Sequence, residues 1–117
     1  MNLEQLISFE TAKLAKEKGF NITNRNSYDE NTGLMLPLDP YGHCYALEGT
    51  CPAPTQSLLQ KWLRDKYEII ICIIFELDSY EILIDNKHNT GSFQVGDVYK
   101  TYEEALEVGL QEALKLI

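Results

Sequence analysis

The side chains with the widest reach into catalysis and metal binding are three cysteines and two histidines. His43 and Cys44 are adjacent, six residues separate Cys44 from Cys51, and His88 lies far along the chain. A zinc site takes four ligands, usually as two close pairs such as C-x2–4-C. This set offers one adjacent pair and a wide gap, so neither a metal site nor a cofactor is expected. A cysteine nucleophile needs a nearby base and a lowered thiol pKa. On an extended chain His43 and Cys44 point to opposite faces, which separates base from thiol. Cys51 stands before Pro52 and close to the start of a helix, whose positive end favours a thiolate. A small enzyme built from this chain would therefore use Cys51 or a His43-centred site. Cys72 falls inside an apolar run and is expected in the core.

Lys61, Arg64 and Lys66, with Trp62 among them, have the look of a nucleic-acid helix. Helix C-termini attract bases for dipole reasons alone, however, and Trp62 falls on the apolar stripe. Glu103 and Glu104 are neighbours in a first helical turn and do not face each other as an acid–base pair would. The best candidate for a contact surface is the polar segment 21–33, which carries Arg25 and Tyr28, together with Tyr41 and Tyr45; the favoured alternative is a solvated loop whose tyrosines pack back on the domain. Tyrosines combine large contact area with a polar handle.

These groups are positioned by an α+β arrangement organised around residues 53–76. Leu58, Leu59, Trp62 and Leu63 repeat on one face of a helix that cannot begin before Pro54 and ends near Lys66. From Ile69 to Phe75 the chain is apolar on both parities, which predicts a strand covered on both faces or central in its sheet. It turns at Leu77-Asp78-Ser79 and returns over 80–84. After a polar turn at 85–91, a third strand covers 92–99, completing an antiparallel meander.

A first helix is predicted from Asn2 as cap, with Gln5 three residues on, inward positions Leu3, Leu6, Ile7, Leu14 and Ala15, and Gly19 as its stop. Asp39-Pro40-Tyr41-Gly42 matches a type I turn, and predicts a hairpin of 33–38 with 43–48. Thr50 to Pro54 is a rigid extended lead into the second helix. Thr101 and Glu104 form a capping box for a last helix, buried along Ala105, Leu106, Gly109, Leu110, Ala113, Leu114 and Ile117. Gly109 between Ala105 and Ala113 marks a close crossing. The fold expected is a single α+β domain over 1–117. Its antiparallel sheet of three to five strands carries three helices packed mainly on one face.

The 117 residues suffice for one core. An apolar content of 44% and a charged content of 24% are those of a folded globular chain, which argues against disorder. The net charge is −8, and residues 76–117 hold nine acids and three bases. Such a surface repels phosphate backbones and anionic lipid; it suits solubility, the favoured reading, or a basic partner. The N-terminus lacks the basic and apolar regions of a signal peptide. The 69–75 run falls short of the roughly 20 residues that span a bilayer. With an odd number of cysteines, this predicts free thiols in a reducing cytoplasm, with no membrane partner.

Three stretches, 9–20 (Phe9-Glu10-Thr11-Ala12-Lys13-Leu14-Ala15-Lys16-Glu17-Lys18-Gly19-Phe20), 53–64 (from Ala53-Pro54-Thr55 to Trp62-Leu63-Arg64) and 102–110 (from Tyr102-Glu103-Glu104 to Val108-Gly109-Leu110), resemble small uncharacterised proteins encoded by phages and prophages of gut bacteria. The resemblance covers about a third of the chain. It implies a mobile-element origin and a bacterial host cytoplasm, and transfers no catalytic residue.

The function expected is that of a non-enzymatic accessory protein of a phage or mobile element, acting by protein–protein binding. The alternatives are a nucleic-acid-linked regulator or acidic decoy of a DNA-binding protein, and the small enzyme above. Direct nucleic-acid binding is not expected, because only three bases follow Phe75. Titrating a fluorescent DNA duplex at about 50 mM and about 200 mM salt should give no binding at either. Micromolar affinity at the lower salt that collapses at the higher would make the Lys61/Arg64/Lys66 cluster a phosphate site.

Overall fold

The computed structural model describes residues 5–20, 26–36, 49–86 and 92–117. Their elements in chain order are α1 (Phe9–Glu17), β1 (Ser27–Asp29), β2 (Thr50–Pro52), α2 (Gln56–Tyr67), β3 (Ile69–Glu76), β4 (Ser79–Asn86), β5 (Ser92–Tyr99) and α3 (Tyr102–Leu114). The fold is α+β. The described residues form a two-stranded sheet, β1-β2, and a three-stranded sheet, β3-β4-β5, both antiparallel. The chain forms two compact units, 1–55 and 56–117.

In the first unit α1 begins later than the Asn2 cap predicts. Asn2 itself lies outside the described residues. Ser8 is the cap, its Oγ accepting from the Thr11 amide at 3.3 Å. Leu6 and Ile7 are extended instead of helical: Leu6 bridges to Thr55, and the Ile7 amide donates to the Pro54 carbonyl at 3.0 Å. Pairing to the 54–55 segment outweighs the Asn2–Gln5 signal, because it satisfies backbone groups and buries Ile7 completely. The helix ends as expected. Gly19 takes φ +96°, its amide bonds the Lys16 carbonyl, and the Phe20 amide bonds the Ala15 carbonyl. This is a Schellman motif, and Phe20 is buried beside it.

The polar segment after it holds a strand that neither period nor propensity announces. β1 pairs with β2, Tyr28 opposite Cys51, and on its other side Tyr28 bridges to Met35. Between them Asp29 Oδ1 accepts from the Asn31 amide, and Gly33, at φ +74°, turns the chain under the Phe9 ring. A Cβ on Gly33 would lie 3.0 Å from that ring. The predicted hairpin partner, 43–48, and its turn lie outside the described residues.

In the second unit α2 and α3 pack against one face of the three-stranded sheet. β3 and β4 are joined by a two-residue turn, Leu77 at φ 52° and Asp78 at φ 61°, the type I′ geometry that matches strand twist. Ile69, Ile71, Ile82 and Ile84 are buried beneath the helices, beside Leu59, Trp62, Leu63, Leu106, Leu110 and Leu114. α3 is capped by Thr101, whose Oγ1 accepts from the Glu104 amide at 3.1 Å. Ile117, expected in its buried stripe, is half-buried.

Two expectations about β3 fail. Among the described residues it is an outer strand of its sheet, not the central one, and only its helix-facing side is buried. Cys72, expected in the core, is exposed. An unbroken apolar run does not distinguish a strand covered twice from one with a bare apolar face.

Gly109 is where the helix meets the sheet most closely. A Cβ there would stand 3.0 Å from Ile71 Cγ2 and 3.1 Å from Ile82 Cγ2. Gly109→Val should therefore destabilise by ~1–3 kcal/mol through overpacking. Trp62→Ala should cost ~3–5 kcal/mol through the cavity it leaves. Both are read from urea unfolding. Losses below ~1 kcal/mol would place Gly109 at a loose contact and Trp62 at the surface.

Candidate functional site

The cysteines divide sharply. Cys51 sits in β2, fully buried in the first unit. Its pKa is raised, first by burial and next by the Glu30 carboxylate, against a smaller lowering by Lys16 and Lys13. That environment keeps a neutral thiol, the reverse of what a nucleophile needs. Nor does Cys51 stand at a helix end: β2 and the 53–55 segment separate it from α2. His43, Cys44 and His88 lie outside the described residues. Among the described residues no three His, Cys, Asp or Glu side chains come together as a metal-binding group.

Of the expected contact residues, Arg25, Tyr41 and Tyr45 also lie outside the described residues. Tyr28 is half-buried and turned inward: its hydroxyl donates to the Ile7 carbonyl at 2.6 Å, and its ring meets Phe9 edge-on at 5.7 Å. Lys16 Nζ donates to the Thr50 carbonyl at 2.7 Å and lies 3.6 Å from Glu30. These side chains lock α1 to β1 and β2. Two of the three basic residues of α2 have local contacts. Lys61 pairs with Asp65, and Lys66 lies over the Trp62 and Tyr67 rings at 5.4 and 5.6 Å.

Exposed aromatic side chains gather elsewhere, at the β3–β4 turn of the second unit. Phe75 is 60% exposed and Leu77 92%. The Phe75 ring packs on Tyr80 at 4.9 Å, and Tyr80 meets Tyr102 edge-on at 6.2 Å. Tyr102, in the first turn of α3, is itself exposed. Glu76, Asp78, Glu103 and Glu104 stand exposed beside these rings in sequence. No motif in the sequence marks this cluster, because its members come from two strands and a helix. The one local signal is Leu77, a large apolar residue in a two-residue turn, where polar residues are usual.

α2 is stitched to its neighbours by two glutamines one turn apart. Gln56 Nε2 donates to the Glu103 carbonyl and to Glu107 Oε1, both at 2.9 Å. Gln60 Nε2 donates to the Ile71 carbonyl at 3.0 Å.

Comparison with family models, with curated proteins and with solved structures finds no match for the chain. No described helix is long and apolar enough to cross a membrane.

The thiols give a direct test. In the native protein Cys72 should alkylate readily, while Cys51 should be protected until unfolding. Because the Cys51 pKa is raised on folding, its neutral thiol contributes stability that is whole below the ordinary value of 9.0. That contribution is lost as pH rises through the folded-state value. Cys51→Ala should flatten that alkaline fall in urea-measured stability. Rapid labelling of native Cys51, identified by peptide mapping, would contradict its burial.

Proposed function

We propose that this chain is a non-enzymatic accessory protein of a phage or mobile element that works in a bacterial host's cytoplasm by binding another protein. The observation that carries this reading is the exposed pair of rings, Phe75 and Tyr102, packed on Tyr80, with exposed Leu77 at the adjoining turn. Aromatic side chains held in contact with one another lose little conformational freedom on binding, and they are enriched at interface hot spots. Their acidic surroundings favour a partner with a basic rim and an apolar centre. The buried, protonated Cys51 supports the non-enzymatic part of the reading.

The test is affinity capture from a bacterial host lysate, with wild type and a Leu77→Ser/Tyr102→Ala double variant as baits. A partner held by wild type and lost by the double variant, at unchanged melting temperature, is the expected result. A partner retained equally by both would remove this surface from the function.

A further inference from the structure

Among the described residues, the outer edge of β3 is open in a way that natural edge strands seldom are. Edges are usually blunted by lysine, proline, a bulge or brevity. On the opposite side of this sheet, β5 carries a register shift against β4, with Gly96 at φ +64°. β3 has eight residues, Ile-Ile-Ile-Cys-Ile-Ile-Phe-Glu, without lysine or proline and in unbroken register with β4. Its uncovered face presents exposed Cys72 and Ile74.

The type I′ turn fixes which backbone groups point outward. Glu76 and Ser79 close a two-residue hairpin and so form a hydrogen-bonded pair. Counting back in twos, Ile74, Cys72 and Ile70 also bond to β4. The alternate positions, Phe75, Ile73, Ile71 and Ile69, direct their backbone groups outward. Gln60 already holds the Ile71 carbonyl, as an outward carbonyl allows. Ile73 and Phe75 are left as successive outward positions toward the turn.

We infer that a second copy of this chain pairs with this edge, β3 to β3, antiparallel about a two-fold axis at Ile74. Three registers would use the open positions. An axis at Ile73 sets Phe75 against Ile71, whose carbonyl Gln60 holds. An axis at Phe75 sets Ile73 against Leu77, which is in a left-handed turn conformation. An axis at Ile74 sets Ile73 against Phe75 twice, needs neither, and brings the two Ile74 side chains together on the open face. Charge favours the antiparallel sense. β3 is neutral from Ile69 to Phe75, follows the basic end of α2 and runs into Glu76 and Asp78. Lys61 is paired with Asp65, so Arg64 and Lys66 outweigh Glu68 at that end. Antiparallel pairing directs each acidic end toward the other copy's basic end, the self-complementarity of an isologous contact.

This pairing uses the strand edge, where Phe75 also belongs to the partner surface proposed above, but it does not rest on that reading. Sedimentation equilibrium of the full chain should show a monomer–dimer equilibrium. Ile74→Lys should weaken it roughly a hundredfold by facing like charges across the axis. Tyr102→Ala, on the partner surface, should leave it unchanged. In a Cys44→Ser background the two Cys72 residues would lie about 13 Å apart, four strand residues, so a bismaleimide of that span should join them while a direct disulfide should not form. A monomer at every concentration, a dimer indifferent to Ile74→Lys, or a quantitative Cys72–Cys72 disulfide would each overturn the assignment.

Discussion

The second unit depends on how closely α3 can approach its sheet. At Gly109 the helix backbone rests against the Ile71 and Ile82 methyls, leaving no room for a relaxed Cβ. A glycine in a helix interior costs about 1 kcal/mol relative to alanine. Here that cost is offset by contact, since dispersion falls steeply with any gap. Small residues continue the crossing, with Ala105 and Ala113 buried one turn to either side. Leu106, Leu110 and Leu114 then fill the space around it. The same approach lets one helix pack against all three strands.

The first unit is held differently. Its strands are three residues each, too short to bury much by themselves. Polar contacts make up the difference: the Tyr28 hydroxyl to Ile7, Lys16 to Thr50, the Ser8 cap and the Schellman end of α1. Each contributes about 1 kcal/mol, and their geometry fixes a short-stranded arrangement that apolar burial alone would leave loose. Ile7, Phe20, Cys51 and Ala53 supply its buried apolar surface. No described buried side-chain nitrogen or oxygen lacks a hydrogen-bond partner.

β3 divides between core and surface. One parity, Ile69 and Ile71, belongs to the core, and the other, Cys72 and Ile74, is exposed. β-branched residues on a bare face cost solubility without adding to the monomer's core, and large exposed apolar patches mark interaction sites. The acidic excess of the second half offsets that cost, because net charge disfavours indiscriminate association.

Local signals were enough for much of the fold. The β3–β4–β5 meander, the Thr101 cap, the Gly19 stop and the close crossing at Gly109 are written in short stretches: turn residues, capping spacings and period. They are legible because each is decided within a few residues of backbone. The α1 start, the β1–β2 pair and the exposure of Cys72 were not. Asn2 and Ser8 are both competent caps, and the choice fell to a pairing with Pro54 and Thr55, nearly fifty residues away. Tyr28 and Cys51 find each other across more than twenty residues, one of them in a polar segment without strand periodicity. The aromatic cluster at the β3–β4 turn likewise joins two strands and a helix. The sequence by itself determined what is settled by local backbone preference and by the alternation of apolar residues. Tertiary structure alone decided which distant segments pair and which apolar face stays bare, because burial depends on what lies opposite a residue in space.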